Sequence, residues 1–145
     1  GSYGVAAMCG TIVLRIACIA ALAPAAAFAA LIAAHTLGRG AAVGVMGFAH
    51  QVSTDGLGAD STRSLTRSRA VIGMAGALAI AALVTGWWVG PFAIAALVST
   101  IVVAAVARRA FGGVSGDILG AVEQVAECVI LVVATGLASR HSLWW

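Results

Sequence analysis

The chain has 145 residues, 62% of them apolar and only 9% charged, and its mean hydropathy is +1.09. Soluble domains carry ~25% charged residues, so eight basic and five acidic side chains are too few to cover a soluble surface, and lipid has to cover it. The net charge of +3 is small and spread along the chain, which excludes a nucleic-acid-binding patch.

A helix needs ~20 apolar residues to cross the hydrocarbon core, and five stretches are candidates. The first runs from about Val5 to Ala23 and stops at Pro24. The second runs from Ala25 to about Ala49. The third runs from Ala70 to Val89, where Gly90-Pro91 breaks the chain. The fourth covers Phe92 to Ala107, and the fifth Ile118 to Ala138. Helix is the forced choice, because lipid offers the backbone no hydrogen-bond partner. The expected fold is therefore all-α, a single polytopic bundle of about five transmembrane helices. Gly-x-x-x-Gly spacing at Gly40/Gly44, Gly86/Gly90 and Gly116/Gly120 suits close helix contacts. A homo-oligomer is left open by the same small residues.

The cysteines, Cys9, Cys18 and Cys128, lie in apolar runs without a C-x-x-C pair. That argues against a disulfide framework or a zinc site, and they read as small apolar core residues.

Arginine placement predicts orientation. The segments 50–69 and 108–117 share a side with the N-terminus and hold Arg63, Arg67, Arg69, Arg108 and Arg109. The opposite side holds only Arg140 outside the spans. The positive-inside rule puts the Arg-rich side in the cytoplasm. Trp87, Trp88, Trp144 and Trp145 then fall on the outer face, as interfacial anchors.

Several polar residues interrupt the spans. A central arginine costs ~2.5–3.5 kcal/mol on insertion scales. Arg39 follows His35 by one turn on the same face. Two readings stand beside each other: a cationic pocket wall for an anionic ligand, or a short span whose Arg39 snorkels to the interface. For Arg15, a packing partner or snorkelling is preferred over a site. His50 and His141 sit near span ends and are assigned no role. The segment Ser53–Thr62 contains Asp55-Gly56 and Asp60. An ordinary loop with a capping Asp60 or Ser61 is preferred there over a metal site.

The segment from Arg108 to Glu127 carries more information. Two arginines end one helix, a Gly112-Gly113-x-x-Gly116 turn follows, and Asp117 opens the next helix. Glycines let a ligand approach the backbone, and a helix N-terminus attracts phosphate. Glu123 and Glu127 share a helix face, and two like charges so close call for a cation or a proton. Hard oxygen ligands beside phosphate-binding arginine suit Mg²⁺. The macrodipole explains an acid at Asp117 but not at Glu127, almost three turns in. A site for a phosphorylated substrate and Mg²⁺ at the cytoplasmic face is the preferred reading.

The run Gly112-Gly113-Val114-Ser115-Gly116-Asp117-Ile118-Leu119-Gly120-Ala121, with Glu123 and Glu127 after it, resembles the glycine-rich signature of the cobalamin synthase (adenosylcobinamide-GDP ribazoletransferase) family and its following acids. Gly1-Ser2-Tyr3-Gly4, Leu37-Gly38-Arg39 and Gly56-Leu57-Gly58 are similar to three further elements of that family, in the same order. The family's G-L-G loop has an upstream arginine whose place Ser53 takes here. The resemblance implies that the chain is the C-terminal part of a longer enzyme of the cytoplasmic membrane, whose Asp-rich motif lies in the other half. It implies a reaction in which adenosylcobinamide-GDP loses GMP and joins α-ribazole or its 5′-phosphate, with Mg²⁺ as cofactor. The expected roles follow from it: Asp117 and Glu123 as metal ligands or general base, Glu127 as a further ligand, and Arg39 and Arg108 on phosphate. Gly113, Gly116 and Gly120 would let the substrate approach. A transporter lined by Arg15, His35 and Arg39, or a non-catalytic scaffold, are the competing readings.

Overall fold

The computed structural model describes residues 1–49 and 65–141. Asp55, Asp60, the Gly56-Leu57-Gly58 element, His50 and Trp144-Trp145 lie outside the described residues. Five α-helices account for nearly all of the rest: α1 (Ser2–Ala20), α2 (Pro24–Phe48), α3 (Arg67–Thr85), α4 (Val89–Phe111) and α5 (Gly116–Ala138). Among the described residues four helical runs are long and apolar enough to cross a membrane, and one of them, Arg67–Phe111, is 45 residues long. That run is not one rod. Ala70 lies against Gly47 and Ala77 against Gly40, so α3 runs antiparallel to α2. In α4, Phe92 joins the cluster around Ala26–Ala34, while Val103 joins the one around Val45, so α4 runs parallel to α2. The run folds back at a 3₁₀ turn, Gly86–Trp88, giving five arms of alternating direction.

Local chemistry explains the ends. Pro24 opens α2, where its missing N–H costs nothing. Thr66 caps α3, its hydroxyl accepting from the Arg69 N–H at 3.4 Å. Gly112 closes α4 at φ 80°, and its N–H donates to the Arg108 carbonyl at 3.1 Å, the left-handed cap that glycine favours. The expected break at Gly90-Pro91 falls instead at Gly86, whose φ is 51°. Pro91 sits in the first turn of α4, a position where proline removes no helical hydrogen bond.

Two clusters hold the bundle. The larger joins Cys18 and Leu22 of the α1 end to Ala30, Ala33 and Ala34 of α2, Phe92 of α4, and Ile130 and Leu131 of α5. The smaller, at the other end, plugs Val114 and Val122 against Val45 and so pins the glycine-rich turn before α5. Helix α1 rests mainly on α5, and its residues 2–10 are all exposed. Cys18 and Cys128 are buried and Cys9 is exposed, all as free thiols. Trp88 is no interfacial anchor: it is 2% exposed, packed edge-on against Phe92. Trp87 is exposed, and its ring meets His141 at 5.2 Å.

Candidate functional site

Charge inside the bundle gathers on the face shared by α1, α2 and α5. It depends on Gly38. A methyl group there would come within 3.0 Å of Glu127 Cγ and 3.3 Å of the Glu123 carbonyl oxygen, so any larger residue would have to push Glu127 or α5 aside. His35, Gly38 and Arg39 share one face of α2, at i, i+3 and i+4 spacing. Opposite them Glu123 and Glu127 share one face of α5.

The pairing is specific. Glu127 is 2% exposed and forms an ion pair with Arg15 of α1. Its other oxygen, Oε1, lies 2.8 Å from His35 Nδ1, which donates when it carries the proton. Arg39 Nε pairs with Glu123 Oε1 at 3.3 Å. The two pairs differ in setting. Glu127 is sealed inside the bundle, whereas the Arg39 side chain is 74% exposed and that of His35 52%. Arg15 Nε is also buried and has no hydrogen-bond partner among the described residues. The face therefore presents the Arg39 guanidinium and the His35 imidazole outward, with Glu123 and Glu127 behind them.

The other residues expected in a site lie elsewhere. Asp117 stands in the first turn of α5, exposed, and makes no ion pair among the described residues. It points about 120° around the helix from Glu123, by helical spacing. Gly116 and Gly120 are exposed and share the face of Glu123, with open space around them. Gly113 is buried beside Val114 in the turn. Arg108 lines a separate apolar groove between α2, α3 and α4. Among the described residues no three His, Cys, Asp or Glu side chains gather as a metal centre would. Among the described residues the three acids are not gathered at one point: Glu123 and Glu127 each face a cation, and Asp117 stands about 120° around the helix from Glu123.

The pairing of Arg15 with Glu127 was not read from the sequence, where Arg15 stood only as a packing or snorkelling residue. A signal existed: a basic group in one span and an acid in another, each costly alone in lipid, pair with one another. Gly38 was legible only as part of Leu37-Gly38-Arg39.

A multi-pass helical membrane protein, with acid–base pairs set inside the bundle and a glycine-rich turn at its Arg-rich end, is the class that fold and site define. Residues 1–135 match the cobalamin-5-phosphate synthase family, and the chain belongs to that family. It is similar to the adenosylcobinamide-GDP ribazoletransferase of Bradyrhizobium diazoefficiens, at 37% identity over 140 residues, covering 92% of this chain and 52% of the relative. The adenosylcobinamide-GDP ribazoletransferase of Azorhizobium caulinodans is 33% identical over 148 aligned residues, covering 97% of this chain and 56% of the relative. The chain spans about half the length of the curated relatives it matches. No solved structure matches it.

Proposed function

We propose that the chain forms part of a membrane phosphotransferase that joins adenosylcobinamide-GDP to α-ribazole, or to its 5′-phosphate, with release of GMP. Family membership and the names of the two relatives support the reaction. The observation that carries it to this chain is the outward-facing wall of the Arg39 guanidinium and the His35 imidazole, braced by Glu123 and Glu127. Phosphoryl transfer is mostly positioning and neutralisation of charge, and such a wall suits a diphosphate. A transporter or a scaffold is not favoured by this membership.

Each residue then has a task. Arg39 neutralises substrate phosphate while Glu123 holds its guanidinium in place. Arg15, with a spare buried N–H, stiffens the wall from behind. Gly116 and Gly120 leave open space along α5 for the substrate. Asp117 takes the proton of the acceptor hydroxyl or orients it. As that oxygen bonds to the phosphorus next to the corrinoid, the bond to GMP breaks and GMP leaves with the electron pair. Mg²⁺ is commonly held by one or two carboxylates plus substrate phosphates, and in that form it fits Asp117 alone. When bound, it would supply charge neutralisation at the transferred phosphoryl. Arg67, Arg69, Arg108 and Arg109 sit at one end of the bundle, and the positive-inside rule supports a cytoplasmic-membrane location with entry from the cytoplasm.

The test is product formation. The chain is purified in detergent and mixed with adenosylcobinamide-GDP, α-ribazole and Mg²⁺, with and without the co-expressed remaining half of one of the longer relatives. Release of GMP with formation of a cobalamin product is expected. Absence of product and of corrinoid binding in both arms would sink the reading.

A further inference from the structure

The groove on the far side of α2 has a different character. It lies between α2, α3 and α4 and encloses about 1010 Å³. Its lining is almost wholly apolar, with Phe48, Met74, Leu78 and Leu97 among the larger side chains; Thr100 and Arg108 are the only polar ones among the described residues. Thr100 asks nothing of an occupant, because its hydroxyl donates to the Ala96 carbonyl at 2.6 Å. A second hollow of about 460 Å³, lined by Ala105, Arg108, Arg109 and Gly112, shares Arg108 and Gly112 with the groove. The apolar groove thus borders a hollow lined by Arg108 and Arg109. Among the described residues neither arginine makes an ion pair and no acid lines either space.

We propose that this pair of hollows binds one anionic phospholipid, with an acyl chain along the groove and the phosphate between Arg108 and Arg109. Shape favours a lipid over a helix. The Gly86–Trp88 turn joins α3 and α4 and lies beyond the Leu78 and Ala93 end of the groove lining. From Ala93 to Arg108 it runs ~22 Å along α4 at 1.5 Å per residue. Half of the hydrocarbon core is ~15 Å, so the groove can take a chain hung from one leaflet, while a crossing helix would meet the turn. Basic pockets between transmembrane helices on the cytoplasmic side suit anionic headgroups, and arginine matches phosphate with two parallel hydrogen bonds. Arg108 then serves a lipid headgroup rather than a substrate.

Native mass spectrometry of the purified chain, titrated with phosphatidylglycerol or phosphatidylcholine, tests this. One phosphatidylglycerol should bind in preference to phosphatidylcholine. Arg108→Gln and Arg109→Gln should each weaken it roughly fivefold, and Ala104→Trp, which fills the groove, should remove it. Both arginines are exposed, so their variants keep the experiment readable even where Ala104→Trp fails to accumulate. Equal binding of the two lipids, or binding indifferent to both arginines, overturns the proposal. So does displacement by glycerol phosphate, which would leave only a phosphate site, or by adenosylcobinamide-GDP, which would make it a substrate site. A dimer that Ala104→Trp dissociates, with no lipid bound, would assign the groove to a second copy.

Discussion

On one side of α2, Gly38 lets α5 come close, and the approach brings Glu123 and Glu127 to Arg39, Arg15 and His35. On the other side, Gly40 and Gly47 let α3 come as close, and the approach brings the apolar Ala77, Met74 and Ala70. Both contacts use the same device, a missing side chain that allows close helix approach. They differ in what holds them. Among the described residues the α3 side shows apolar packing, and lipid tails compete with it on equal terms. The α5 side adds charges that are expensive unless they stay together. Small residues set the distance between membrane helices, and the polar residues beside them decide which helix is held there.

That contrast can be broken by experiment. The largest effect concerns chemistry. In a full-length enzyme carrying these residues, Asp117→Ala should lower turnover by ~10²–10⁴-fold, the range for loss of a general acid or base, with membrane insertion unchanged. Wild-type-like GMP release would remove Asp117 from the mechanism. Next comes Glu127→Ala, which strands Arg15 inside the bundle. Breaking a buried ion pair by removing one partner costs about 3–5 kcal/mol, and unfolding in mixed detergent micelles would show it. Replacing Arg15 and Glu127 together by methionine should recover much of the loss. If the double change were as damaging as the single one, charge pairing would not be what holds α1.

Smaller effects separate the two faces. Gly38→Ala places a methyl 3.0 Å from Glu127 Cγ, and Gly40→Ala places one 2.8 Å from Ala77 Cβ. Each overpacking should cost about 1–3 kcal/mol. Only Gly38→Ala should also weaken corrinoid binding, because only it shifts the wall that carries Arg39. Equal effects of the two on binding would erase the distinction. The smallest stability change belongs to Arg39→Gln. Its pair with Glu123 is mostly exposed and worth about 1 kcal/mol or less. Isothermal titration should nonetheless find weaker binding of the GDP-linked corrinoid, and unaltered binding would take Arg39 off the phosphate.

Composition and apolar run length determined the membrane setting, the helical class and the number of arms. They suffice because lipid leaves the backbone no alternative to helix, and a helix that must cross ~30 Å announces itself by length. The glycine-rich run from Gly112 to Ala121 was legible for a related reason: caps and turns are local, and Gly112 at φ 80° needs its residue type whatever surrounds it. The exact turn between α3 and α4 was not, since Gly86 and Gly90-Pro91 were both competent breaks and packing of Trp88 and Phe92 chose between them. Which acid meets which base belonged to tertiary structure alone. Arg15 and Glu127 are 112 positions apart, and no local pattern joins them. Only the stacking of α1 and α2 on α5 sets Glu127 between Arg15 and His35, turns Asp117 away, and leaves Arg108 at the mouth of an apolar groove on the opposite face.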